Sequence, residues 1–115
     1  MSVLVYIDQA DGHIKKASFE AAYYGSKLAA LLQTTAEAIV LGNVSDDLST
    51  LGQYGISTVH TVSDAALNQF DAQVYSDVIS QAAAHADVVV MSNTTSGKAI
   101  GPRLSIKCKA GLVSG

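Results

Sequence analysis

The sequence predicts an α/β protein with an open, doubly wound parallel sheet. Three observations carry this. Short apolar runs of strand length alternate with segments of helical periodicity, the runs are almost unbroken by polar residues, and Gly or Asp turn signals punctuate them. Alternation of this kind implies parallel pairing through right-handed crossovers. Strands buried on both faces read as continuous apolar runs, as these do. The expected strand order is 3-2-1-4-5.

Val3-Leu4-Val5-Tyr6-Ile7 is the first strand, and Asp8-Gln9-Ala10-Asp11-Gly12 ends it with the Asp-Gly chemistry of a turn. From Ala17 to Leu32, Ala21, Gly25, Leu28 and Leu32 recur every three or four residues with Ala22 and Ala29 beside them, which predicts a helix with one apolar face. Ser18 is the expected cap, its hydroxyl accepting from an amide of the first turn. Glu37 to Gly42 is the second strand. A shorter helical segment follows from about Asp46 to Tyr54, with Asp46 and Asp47 at the end favoured by the helix dipole and Gly55 placed to stop it. Thr58-Val59-His60-Thr61-Val62 is the third strand, and Asp71 to Ala86 a long helix with Val74, Val78, Ala82 and Ala86 in register. Asp87 to Met91 is the fourth strand. Lys98 to Lys109 reads as a helix through Ile100, Leu104 and Cys108, and Gly111-Leu112-Val113 opens a fifth strand close to Gly115. That ending suggests a segment of a longer protein.

A chain of 115 residues with 49% hydrophobic and 15% charged residues suits one globular domain with a real core, and excludes disorder. The lone Cys108 cannot close an intrachain disulfide, and His13, His60 and His85 stand too far apart for metal-ligand spacing. Both points fit a reducing compartment. No basic leader precedes the first strand, and runs such as Val88 to Met91 fall far short of the ~20 residues of a membrane span. A cytoplasmic protein without membrane insertion is expected. The net charge of -3 is unevenly placed: the acidic residues end at Asp87, whereas Lys98, Arg103, Lys107 and Lys109 follow it. Without interleaved aromatics, this basic quarter favours a solvated face or docking surface over nucleic acid.

The stretch Ser92 to Arg103, SNTTSGKAIGPR, is richest in chemistry. In an open α/β sheet, ligands bind beyond the carboxyl ends of the strands, where the strand order reverses. Asp8 and the run Thr94, Thr95, Ser96, Gly97 and Lys98 both end strands there. They are the candidate cofactor-binding residues, the hydroxyls and helix-start amides facing a crevice able to hold an anion. A P-loop needs Gly-x4-Gly-Lys-Ser/Thr, and this stretch has Ser92 first and Ala99 last. No Gly-x-Gly-x-x-Gly follows the first strand either. The competing reading is local: hydroxyls cap a helix, Gly97 permits a tight turn, Gly101 permits close packing, and Pro102 delays or kinks the helix. Arg103 offers a planar fork to a partner's carboxylate or phosphate, or lies free on the surface. Cys108 on an apolar helix face reads as a buried inert thiol, and His60 in a strand as structural. No catalytic residue is expected.

The opening strand through Asp8, with Gly12-His13-Ile14-Lys15-Lys16-Ala17-Ser18, resembles the strand, turn and helix start "G-x-(L/I)-K-x-(A/S)-(S/T)" of the electron transfer flavoprotein alpha subunits. Thr94-Thr95-Ser96-Gly97-Lys98 with Pro102-Arg103 is similar to that family's "A-T-T-x-G-K-x-x-x-P-R". The likeness covers essentially residues 1–115, and it implies the N-terminal domain of an alpha subunit, of adenine-nucleotide alpha hydrolase-like (Rossmann-like) fold. It further implies that FAD is held mainly by a C-terminal domain absent from this chain, which should bind no cofactor alone. Implied partners are the electron transfer flavoprotein beta subunit and flavoprotein dehydrogenases such as acyl-CoA dehydrogenases. The implied role is an electron-carrier platform, with Arg103 at the partner interface. Leu104-Ser105-Ile106-Lys107-Cys108-Lys109 and Ser114-Gly115 depart from the family pattern. The alternative is an adenine-nucleotide-binding module similar to universal stress proteins. Their Gly-x-x-Gly loop is not reproduced, because Gly97 and Gly101 are one residue too widely spaced.

Overall fold

The computed structural model describes residues 2–10, 13–42, 44, 48–62, 71–86, 88–91 and 111–114. The chain starts with β1 (Ser2–Ile7), then a minimal hairpin of β2 (Gln9–Ala10) and β3 (His13–Ile14), and enters α1 (Lys16–Leu31). Next come β4 (Thr35–Leu41), a 3-10 segment (Leu48–Tyr54) and β5 (Ile56–Val62). Then follow α2 (Ala72–Ala82), a 3-10 turn (Ala83–His85), β6 (Val88–Met91) and β7 (Gly111–Ser114). The main sheet runs β5-β4-β1-β6-β7 with every neighbouring pair parallel. Leaving aside the hairpin, this is the expected 3-2-1-4-5 order.

Side chains alternate across a strand, so β1 divides its residues between the two faces of the sheet. Val3, Val5 and Ile7 pack with Ala21, Ala22 and Ala29 of α1 and with Ala38, Val40, Leu51 and Val90. Leu4 and Tyr6 pack on the opposite face with Tyr75, Ile79 and Ala83, and with Ile39, Leu41, Val89 and Met91. Both faces of the central strand are thus closed, which is why its sequence is apolar throughout. Helix α1 lies close to the sheet because Gly25 rests on β1. A Cβ at that position would overlap Val5 Cγ2.

Helix α1 stops without a glycine. Gln33 adopts a left-handed φ of 58°, the Gln33 N–H donates to Ala30 O at 3.2 Å and the Thr34 N–H to Ala29 O at 2.9 Å, which together close the last turn. Gly55 ends the 3-10 segment as its position in the sequence suggests, with φ 94° and its N–H donating to Gly52 O at 3.1 Å.

Several expectations need correction. Ser18 does not cap α1: the cap position is Lys15, without a side-chain bond, and Ser18 lies inside the first turn, fully buried. The segment expected as a helix from Asp46 is 3-10 over Leu48–Tyr54, and Asp46 and Asp47 lie outside the described residues. The second long helix is shorter than expected. Asp71 caps it, accepting from the amides of Gln73 at 2.9 Å and Val74 at 3.2 Å, and the chain tightens to 3-10 after Ala82. Its buried face is also one residue away from the expected one. Tyr75, Ser76, Ile79 and Ala83 are buried; of the expected line, Val78 and Ala86 are half-buried against the same core, whereas Val74 and Ala82 are exposed. The expected helix from Lys98 to Lys109, with Pro102 and Cys108, lies outside the described residues. No helix of the described residues is long and apolar enough to cross a membrane.

Candidate functional site

The strand order reverses between β1 and β6, so the crevice beyond their carboxyl ends is where an open α/β sheet places ligands. Asp8, one residue past β1, stands there with a side chain only 3% exposed. The hairpin explains what surrounds it. Pairing Gln9 with Ile14 and Ala10 with His13 folds the chain back at once, so that Lys15 returns beside Asp8. The Lys15 amide donates to Asp8 O at 3.1 Å, and its ammonium lies 3.2 Å from Asp8 Oδ2. That ammonium contact is an ion pair outside hydrogen-bonding geometry, and Oδ2 makes no hydrogen bond.

Ser18 ties the same residue to α1. The Asp8 amide donates to Ser18 Oγ at 2.7 Å, and the Ser18 hydroxyl donates to Asp8 O at 2.9 Å. Gln9 extends the connection sideways, its Nε2 donating to Leu41 O at 3.2 Å, and the Gly42 amide bonds Val62 O at 2.9 Å. The carboxyl ends of β1, β4 and β5 are thereby linked into one rim.

Beneath this rim lie Tyr6 and Tyr75. Burial, then the Asp8 charge and the neighbouring Tyr75, push the Tyr6 phenol far above its ordinary value of 10.0. Burial and then Asp8 raise Tyr75 as well. Both phenols therefore remain neutral donors at physiological pH. A raised folded pKa contributes stability that is fully present below about pH 10, the unfolded value, and is lost as the pH rises above it. The expected result is alkaline unfolding in which phenolate absorption from these two rings rises together with loss of far-UV circular dichroism. Tyr6→Phe should shift the alkaline midpoint upward, and an unchanged midpoint would exclude Tyr6 as a contributor.

Of the residues singled out in the sequence, Asp8 is at the crevice. Thr94, Thr95, Ser96, Gly97, Lys98 and Arg103 lie outside the described residues. The structure instead brings Asp8 together with Lys15 and Ser18, which sequence reasoning had not assigned to the site. Their signal was present in Gly12 to Ser18, but Ser18 was expected to bond its own helix. His60 is not enclosed: it is exposed on β5, with Nε2 2.6 Å from Glu37 Oε1.

The electron transfer flavoprotein domain model matches residues 3–115. The chain belongs to the electron transfer flavoprotein family. Members of this family are electron carriers that generally contain FAD and work with partner subunits. This flavoprotein-family chain is 25% identical over 114 residues to Protein FixB of Clostridium saccharobutylicum, covering 97% of itself and 34% of that protein. It thus spans about a third of the length of the curated relative it matches. Among solved structures, the universal stress protein of Archaeoglobus fulgidus in complex with dAMP superposes with a TM-score of 0.62 at 10% identity, over 99% of this chain and 96% of the other. A universal stress protein in complex with cAMP gives 0.58 at 11% identity, over 100% and 96%. A member of that family from Burkholderia pseudomallei gives 0.54 at 12%, over 96% and 93%. These likenesses show the fold, a Rossmann-like α/β sheet.

The described part of the crevice does not fit the pyrophosphate of FAD. Its buried unbonded atom, Asp8 Oδ2, is a carboxylate oxygen, which repels phosphate and suits a hydroxyl or amine donor. The Lys15 ammonium that would attract phosphate already faces that carboxylate.

Proposed function

We propose that this chain is the N-terminal platform domain of an electron transfer flavoprotein alpha subunit. In this reading it forms part of a cytoplasmic, FAD-containing heterodimer that passes electrons from flavoprotein dehydrogenases, such as acyl-CoA dehydrogenases, toward the respiratory chain. The observation that carries the reading is the family match over residues 3–115, joined to two sequence anchors of alpha type, Gly12 to Ser18 and Thr94 to Arg103. The crevice supports it from another side, since a carboxylate neutralised by Lys15 and braced by Ser18 suits a structural rim better than a phosphate cradle. FAD would be held mainly by a further domain, in the part of the relative's length that this chain does not span. Arg103 would face the beta subunit. No residue of this chain carries out catalysis, and nucleic acid is not a partner.

The test is the native gene product purified from its source, read by intact mass, subunit composition and visible absorption. Flavin bands, a co-purifying second subunit and a chain longer than 115 residues are expected. A colourless protein with no second subunit would overturn the platform reading.

The fold likeness to structures in complex with dAMP and cAMP favours a second reading, an autonomous adenine-nucleotide module. Equilibrium dialysis with ATP separates the two. Under the platform reading Lys98→Ala leaves any ATP affinity unchanged, whereas a module using Gly97 and Lys98 loses at least tenfold.

A further inference from the structure

The large apolar side chains exposed among the described residues are gathered in one layer. Tyr23, Tyr24 and Leu31 stand on α1, Leu32 directly follows it, and Tyr54 closes the neighbouring 3-10 segment, which leaves only Val74 elsewhere. At 3.6 residues per turn, Tyr24, Leu28 and Leu31 share one flank of the helix, and Tyr23 and Lys27 form the adjoining line. Lys27 Nζ lies 5.3 Å from the centre of the Tyr23 ring, a cation–π contact at the border of the patch. The other flank of α1 is taken: the Phe19 and Tyr54 rings meet at 5.2 Å, and Ser26 fills the space where a Cβ on Gly55 would stand. Because the 3-10 segment lies toward β5, the open flank looks toward β6, where Val88 is half-buried against the same core. Tyr24 is 48% and Leu31 81% exposed there.

Composition and charge indicate what covers this flank. Members of the family work with partner subunits, and permanent subunit interfaces are large and apolar at their centre. Tyrosine and apolar side chains are enriched in such centres, and lysine and glutamate are kept to the rim. The α1 flank has that arrangement, with tyrosine and leucine inside and Lys16 and Lys27 exposed along its border against the single acid Glu20. The other described faces do not have it. The outer side of α2 shows Gln73 and Gln81 with small alanines at Ala82 and Ala84, and β5 shows Ser57, Thr58, His60 and Thr61. A basic border fits a partner whose apolar anchors are rimmed by carboxylates. A second copy of this chain would set the same lysines against themselves.

We propose that the flank of α1 bearing Tyr24, Leu28 and Leu31, bordered by Tyr23 and Lys27, is the docking surface for the different subunit of the heterodimer, which meets it with apolar side chains edged by Asp or Glu. The inference rests on reading this chain as the platform of one subunit, and it names the surface through which that platform acts. Tyr24 and Leu31 are the anchors, since they hold apolar surface that the chain's own core does not use.

The full-length protein with its co-purifying subunit is compared with the double variant Tyr24→Gln/Leu31→Gln by native mass spectrometry across a dilution series. Both positions are exposed and glutamine is a good helix former, so the variant should keep its core and helix. Its heterodimer should dissociate at a concentration at least tenfold lower in affinity than the wild type. Reversing the border with Lys16→Glu/Lys27→Glu should slow association at least fivefold at low salt, and much less at high salt. Hydroxyl-radical labelling of the intact wild-type complex needs no variant: Tyr24 should label at least fivefold less than Tyr54, although Tyr54 is the less exposed of the two in this chain, at 37%. A wild-type protein with no second subunit overturns the platform reading and this inference with it. A wild-type heterodimer in which the folded glutamine variant keeps its affinity, or in which Tyr24 labels as fast as Tyr54, overturns the docking surface alone. So does an association rate indifferent to the two lysines. Loss of electron uptake from a flavoprotein dehydrogenase with the heterodimer intact would assign the flank to that donor and overturn the proposal as well.

Discussion

Ile79→Ala lowers the free energy of unfolding by about 2–5 kcal/mol, and Val74→Ala, in the same helix, changes it by no more than about 0.5 kcal/mol. Denaturant unfolding of both variants, followed by far-UV circular dichroism, measures the pair. Ile79 has no exposed surface and packs with Leu4, Tyr6, Ile39, Leu41, Tyr75 and Met91 between α2 and the sheet. Truncation there removes the transfer free energy of the lost carbons and leaves a cavity in the cluster of Leu4, Tyr6, Ile39 and Met91. Val74 is 41% exposed, and its removal costs little packing. If Val74→Ala proved the costlier change, α2 would be rotated by one position and the face Tyr75-Ile79-Ala83 would not be the buried one.

This contrast marks where the sequence stops being legible. The strands could be read because both faces of the sheet are covered, so that Val3 to Ile7 and Val88 to Met91 are apolar at every position. Handedness and alternation allow the order 3-2-1-4-5 alongside other doubly wound orders, and the sheet adopts it. The face of α2 could not be read in the same way. Val74, Val78, Ala82 and Ala86 form one line at helical spacing, and Tyr75, Ile79 and Ala83 form another beside it. Periodicity ranks both lines as apolar. The larger Tyr75 and Ile79 side chains win because they fill more of the space over Tyr6 and Met91, a fact that depends on the sheet and not on the helix. The hairpin at 9–14 was missed for a related reason, since strands of two residues are too short to show alternation. At the site, Asp8 was legible because it ends a strand at the reversal point. Lys15 became part of the site only once that hairpin turned the chain back.

Ser18→Ala is expected to cost about 1–3 kcal/mol, the penalty for stranding a buried hydrogen-bonding group. The Ser18 hydroxyl accepts from the Asp8 amide at 2.7 Å and donates to Asp8 O at 2.9 Å. With the hydroxyl gone, the carbonyl keeps the Lys15 amide at 3.1 Å, but the amide of a residue only 2% exposed loses the partner seen here. Ser18→Gly separates this role from capping. A serine that merely caps its own helix is replaced by glycine at a cost of only a few tenths of a kcal/mol, roughly. A serine that bridges α1 to the end of β1 should cost at least as much as in the alanine variant, because glycine adds backbone entropy to the lost bonds. Amide exchange gives the local reading: the Asp8 N–H should exchange far faster in either variant, and the Val5 N–H should respond only through global stability. Near-equality of Ser18→Gly with the wild type would show that the bridge contributes nothing. The ion pair between Lys15 and Asp8 would then be the contact that holds the rim together.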